Sequence, residues 1–192
     1  HTPYKILVKC ADKYGNYLDR GGAYVVARIV AAGSVPLPAA QKELVIGISQ
    51  FPSNFNPLIN SMLAKSYMLA LARRPITVYD GDWKLICMLC TELPDIAKGT
   101  AVFETTAEGK PGIAVTFSLD PDAVWGDGTP ITTKDVIFTW EVGRHELSGV
   151  GDAETFRRIT KIDAHDDKTF TLHVNKRTCD YAGINGLDLL PA

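Results

Sequence analysis

The chain has 192 residues, 46% of them hydrophobic and 22% charged, and 20 Lys and Arg stand against 22 Asp and Glu for a formal net charge of −2. That length suggests one domain, or one domain with an appendage, and the apolar content suffices for a core. The balanced charge, without blocks of one sign, gives no footprint for nucleic acid. No run approaches the roughly eighteen uninterrupted apolar residues of a membrane span.

Taken in chain order, Tyr4–Val8 alternates as a strand, and "DKYGNYLDRGG" reads as a turn. It lacks the Asp/Asn spacing and the terminal Glu of a calcium loop. Arg20–Gln41, "RGGAYVVARIVAAGSVPLPAAQ", has the grammar of a secretory signal: a basic lead, an Ala/Val-rich core and a close of small residues and prolines. Arg28 interrupts the core, and Ala39 and Ala40 do not form a clean A-x-A. Residues 1–41 are therefore expected to be a leader or degenerate signal-like segment, or appended sequence. The alternative is an amphipathic helix or a strand packed on the domain of residues 42–192.

From Lys42 the texture is that of a folded domain. "KELVIGIS" alternates Leu44, Ile46 and Ile48 as a half-buried strand and runs into the Asn-Pro loop "QFPSNFNPLINS". "SMLAKSYMLALARR" predicts a helix with Asn60 or Ser61 as N-cap and Met62, Leu63, Ala64, Tyr67, Met68 and Leu71 on a broad apolar stripe. "ITVYDGDWKLICML" predicts a hairpin about an Asp-Gly turn, and "AVFETTAEGKPGIAVTFSLD" a second one with Ile113, Val115, Phe117 and Leu119 alternating. "FRRITKIDAHDDKTFTLHV" predicts a third, turning at Asp166-Asp167-Lys168. The pattern is mixed α+β, with several hairpins, two clear helices and no βαβ alternation.

Candidate chemistry is sparse. Cys87-Met-Leu-Cys90 could be a redox pair or half of a zinc site, but Cys10 and Cys179 stand apart with no nearby His at ligand spacing. On a strand, positions i and i+3 face opposite sides, so the two sulfurs are expected not to meet and to be buried apolar cysteines. His145, His165 and His173 fall at polar positions expected to be exposed. No catalytic residue, metal site or cofactor is expected.

The most organised stretch is "VWGDGTPITTKDVIFTW", residues 124–140. Gly126-Asp127-Gly128 permits a tight reversal, and Pro130 holds residue 129 extended. Thr132 and Asp135 make a capping box, and Val136, Ile137 and Trp140 follow at helical spacing to pack on the sheet. Asp127 and Asp135 thus have folding roles as turn and cap rather than as an acid–base pair.

"TFSLDPDAVWGDGTPITTKDVIFTWE" resembles the corresponding segment of bacterial extracellular solute-binding proteins of family 5, the peptide-binding components of ABC importers. "LVIGISQFPSNFNPLIN", "ITVYDGDWKLICMLCTELP" and "ITKIDAHDDKTFTLHVNKR" are similar, in order, to that family's first mature strand and Asn-Pro loop, its DG hairpin and its Asp-turn hairpin. The resemblance covers about Lys42 to Ala192. It implies a type II periplasmic-binding-protein-like first lobe of hairpin-rich sheets with packed helices, present as an N-terminal fragment with the second lobe missing. It implies a monomeric, soluble periplasmic receptor, not an enzyme, that captures a short peptide or similar small solute and delivers it to an ABC permease in the inner membrane. First-lobe contacts in the family lie just after the Asn-Pro loop, which points here to Asn60, Ser61, Met62 and Leu63. The competing reading has Asn60 and Ser61 cap the next helix while Met62 and Leu63 join the core. A thiol oxidoreductase using Cys87 and Cys90, and a receptor for a metal chelate, haem or sugar, remain the alternatives.

Overall fold

The computed structural model describes the backbone of residues 4–11, 24–31 and 43–47, and describes residues 52–59, 62–183 and 187–192 in full. Its contacts divide the chain into two compact units. One comprises His1–Asn56 with Ser61–Arg73, and the other Pro57–Asn60 with Arg74–Ala192.

In the first unit, β1 (Tyr4–Ala11), β2 (Tyr24–Ala31) and β3 (Glu43–Gly47) form an antiparallel sheet in that order. Val8 lies opposite Ala27, and Ala27 opposite Leu44. Of the structures open to Arg20–Gln41, its core takes the strand, in keeping with the β-branched residues Val25, Val26, Ile29 and Val30.

The same unit carries α1 (Leu63–Ala72), which differs from expectation in two ways. The expected cap residues Asn60 and Ser61 lie outside the described residues. Met62 occupies the N-cap at φ −115° and ψ 128°, with no side-chain cap bond. The apolar stripe is also narrower than the sequence suggested. Ala64 and Met68, spaced i and i+4, are buried, whereas Leu63 and Tyr67 lie one residue round and are 65% and 56% exposed. Lys65 completes the buried face because its Nζ donates to the Asn56 carbonyl at 2.9 Å, so its stem can lie along apolar surface.

The second unit opens with the short hairpin β4 (Thr77–Tyr79) and β5 (Leu85–Cys87). Then β6 (Ala101–Thr105), β7 (Pro111–Ser118), β8 (Ile159–Ala164) and β9 (Thr169–Val174) form a four-stranded antiparallel sheet in the order β6-β7-β9-β8. Period-2 alternation sets which face is buried. On β7, Ile113, Val115 and Phe117 point into the core, and on β9, Phe170 and Leu172 do the same. The register places Val115 opposite Leu172 and Phe117 opposite Phe170. The two phenyl rings stack with centroids 5.8 Å apart.

The corner at 124–140 folds as its sequence predicts. Val124 bridges Pro130, Gly128 sits at φ +95°, and the Asp127 carboxylate accepts the Thr129 N–H at 2.8 Å. Helix α2 (Thr133–Arg144) starts at N-cap Thr132 with the capping box complete, and the Asp135 carboxylate accepts the Thr132 N–H at 2.7 Å. Val136 is fully buried, and the Trp140 indole N–H donates to the carbonyls of Ile159 (3.0 Å) and Phe156 (3.3 Å).

Helix α3 (Ala153–Arg158) departs from the expectation that "FRR" leads into a hairpin arm. Its signal was present: Asp152 accepts the Thr155 N–H and the Thr155 hydroxyl, an N-cap over one short helix. Where α3 meets α2, Gly143 leaves room for the Phe156 ring. The segment Leu187–Ala192 lies along α2: Leu190 N–H donates to the buried Thr139 hydroxyl at 2.8 Å and Ala192 N–H to Asp135 at 2.9 Å. Among the described residues, no helix is long and apolar enough to cross a membrane.

Candidate functional site

The expected contact segment follows Asn56-Pro57. Asn56 is held by an Asx turn, its N–H donating to the Asn54 side-chain oxygen at 3.1 Å. Two residues on, Leu58 is buried and its carbonyl accepts the Gly151 N–H, while Ile59 bridges Val150. The backbone is thus fixed immediately before the segment.

Asn60 and Ser61 lie outside the described residues. Met62 is extended and half-buried. Its carbonyl accepts from the Ser66 N–H (3.0 Å) and hydroxyl (3.3 Å), and its thioether accepts from the Ser53 hydroxyl at 3.3 Å. Leu63 is exposed, so it does not join the core. An extended residue at the N-cap and an exposed leucine opening the helix form a surface that a ligand backbone and an apolar side chain can meet.

The cysteines depart from expectation. Cys87 and Cys90 form a disulfide, with Cα atoms 5.0 Å apart. The expectation that the sulfurs face opposite sides assumed a strand continuing through Met88 and Leu89. Instead β5 ends at Cys87, and the Met88 and Leu89 N–H groups both donate to the Ile76 carbonyl, folding the chain so that i and i+3 meet. Cys90 is buried, Cys87 half-buried, and neither stands at a helix N-terminus that would activate a thiolate. Cys179 is free and exposed.

His173 is not simply exposed. It is half-buried on the outer face of the sheet, with Nδ1 2.9 Å from Glu104 and Nε2 3.0 Å from Asp163. The Lys161 ammonium, and secondarily the His173 ring, hold the Asp163 carboxyl below its usual pKa. His165 Nε2 is 2.7 Å from the Thr171 hydroxyl, which is 2.8 Å from that of Thr116. Among the described residues this is the nearest approach to a base–nucleophile pair, but Thr171 is a buried mid-strand residue with its hydroxyl closed between two partners. Both chains of contacts brace the outer sheet face. Two carboxylates on opposite nitrogens of one imidazole cannot share one metal ion with it, and among the described residues no group of three or more His, Cys, Asp or Glu could hold one.

Comparison with known proteins agrees with the DGTP-corner resemblance. Residues 94–188 match the model of the bacterial extracellular solute-binding proteins, family 5 Middle. Proteins of Brucella ovis and Brucella abortus named for ABC-transporter peptide binding are each 28% identical over 156 residues, 81% of this chain. The chain spans about a quarter of the length of these relatives, 26% of each. Among solved structures, the oligopeptide-binding protein of Thermus thermophilus complexed with a pentapeptide is 29% identical with a TM-score of 0.55, covering 62% of this chain and 19% of that one. NikZ of Campylobacter jejuni in complex with Ni(L-His) has a TM-score of 0.56 at 15% identity, covering 74% of this chain and 26% of its own. The mixed helix and sheet fold resembles the lobes of type II periplasmic binding proteins and covers part of that fold, and the family 5 resemblance read from the motifs is borne out.

Proposed function

We propose that this chain is lobe-forming sequence of an ABC-importer solute receptor. It would capture a short peptide or similar small solute and present it to an inner-membrane permease. The observation that carries this reading is the strand–turn–capped-helix corner at 124–140, which lies inside the family-matched residues 94–188 and folds as its motif predicts. The names of the Brucella relatives and the pentapeptide complex of the Thermus protein support peptide over other solutes.

The reading places the ligand against Asn60, Ser61, Met62 and Leu63, with the ligand backbone running beside the extended chain ahead of α1. Its protein is a monomer that works in the periplasm. The Cys87–Cys90 disulfide supports that compartment, because such bonds persist where the surroundings are oxidising. No step of the function calls for covalent chemistry by this chain.

Native mass spectrometry of the full-length parent protein tests the proposal. A folded parent that carries a peptide or small solute, released on denaturation, is the expected result. A folded parent that binds none of a broad peptide mixture overturns it.

A further inference from the structure

The tip of the β4–β5 hairpin is built at a local cost that packing does not explain. Trp83 stands at φ +60° and is the one described non-glycine residue with positive φ. Glycine or asparagine is the usual occupant of that conformation, and a bulky aromatic there is strained. The turn is nevertheless locked. The Trp83 N–H donates to the Asp80 carbonyl, and the Asp82 and Lys84 N–H groups both donate to the Asp80 carboxylate at 2.9 Å. The conformation lifts the indole into solvent, leaving it 83% exposed. Among the described residues its ring neighbour is Tyr79, 37% exposed, with centroids 6.4 Å apart. The Tyr79 hydroxyl donates to Asp180 at 2.8 Å, and that bond raises the phenol's pKa above its ordinary value.

The patch therefore presents two exposed aromatic rings with the carboxylates of Asp80, Asp82 and Asp180 around them. Lys84 is the single opposing charge on the hairpin tip. Asp82 is exposed, and its carboxylate has no partner among the described residues. Aromatic faces attract guanidinium and ammonium groups, most of all Trp with Arg, and nearby carboxylates add charge complementarity. Exposed Trp and Tyr are also the residues that most often anchor protein interfaces. An anionic bilayer surface fits poorly, because the carboxylates would be repelled by it.

We propose that the Trp83–Tyr79 tip is a docking site for an arginine-bearing segment of a partner protein. The guanidinium stacks on the Trp83 indole and faces Asp82. This goes beyond the solute-receptor reading and does not depend on which solute is carried.

The test is an NMR titration of the whole chain, following the Trp83 indole N–H, with the blocked peptide acetyl-(Gly-Arg)4-amide as probe. Acetyl-(Gly-Ser)4-amide and phosphatidylglycerol vesicles serve as comparisons. The proposal expects a saturable shift with the arginine probe and weak or no response to the other two. Trp83→Asn should weaken arginine-probe binding at least tenfold while leaving the fold intact or raising its thermal midpoint, since Asn tolerates positive φ. Asp82→Asn should weaken it about threefold. Unchanged affinity in Trp83→Asn overturns the proposal, as does an equal response to the serine peptide or a stronger response to vesicles. If the arginine peptide binds only as a captured solute, the Trp83 resonance stays still and Trp83→Asn binds normally. That outcome sinks this proposal and leaves the receptor reading standing.

Discussion

Asp135 offers the sharpest test of how the corner at 124–140 is held. From sequence its role is one half of a capping box, whose loss costs about 1 kcal/mol. The structure adds a second role: Asp135 is only 5% exposed and uses both carboxylate oxygens. Oδ2 accepts the Thr132 N–H at 2.7 Å, and Oδ1 accepts the Ala192 N–H at 2.9 Å. Asp135→Ala therefore strands two backbone donors, each worth about 1–2 kcal/mol when bonded to a charged acceptor in a partly buried setting. The expected loss is about 3 kcal/mol in all. Asp135→Asn keeps one acceptor oxygen and is expected to lose about half as much. Urea denaturation of both variants gives the values, provided the slope is unchanged. Native-state hydrogen exchange at the Ala192 amide should accelerate in both. A loss below about 1 kcal/mol for Asp135→Ala, with Ala192 exchange unchanged, refutes the double role.

Three further predictions concern the same unit. A Cβ on Gly143 would lie 2.1 Å from the Phe156 ring, so Gly143→Ala should cost about 2–3 kcal/mol, and Phe156→Leu in the same chain should recover part of it in a double-mutant cycle. Lys168 Nζ donates to the carbonyls of Ile131 (2.8 Å), Asp120 (3.2 Å) and Ala123 (3.4 Å), pinning the β8–β9 turn to the loop before α2. Lys168→Met leaves those carbonyls unpaired and should cost about 2 kcal/mol by thermal melting. The Thr77 hydroxyl is buried without a hydrogen-bond partner among the described residues, so Thr77→Val should be neutral or stabilising by about 1 kcal/mol, measured by the urea midpoint.

Local signals with unambiguous periods were legible in the sequence. Ile113, Val115 and Phe117 alternate without interruption, so their shared buried face could be named from the sequence alone. Thr132 and Asp135, three apart before an apolar run, fixed the start of α2. Features set by two or more residues outside one element were harder to see. The Cys87–Cys90 bond depends on Ile76, eleven residues before Cys87, accepting two backbone donors and ending β5. Leu63 and Tyr67 resemble core residues in the sequence because they belong to one broad apolar stripe, whereas Ala64, Lys65 and Met68 form the buried face of α1. His173 read as an isolated polar residue, since its partners Glu104 and Asp163 lie 69 and 10 residues away on other strands. Of the candidate contacts, Leu63 is exposed and Met62 extended, while Asn60 and Ser61 lie outside the described residues.

The proposed receptor captures a peptide or similar solute with a lobe whose contacts follow Asn56-Pro57. Equilibrium titration of the full-length parent protein with the solute that co-purifies with it, set beside a Met62→Lys, Leu63→Lys double variant, measures this most directly. Saturable one-to-one binding is expected, and the double variant should weaken it at least tenfold while its melting midpoint holds, because Leu63 is exposed and Met62 is only half-buried. Binding unchanged in the double variant contradicts the contact assignment, and a folded parent that takes up no solute contradicts the receptor reading itself.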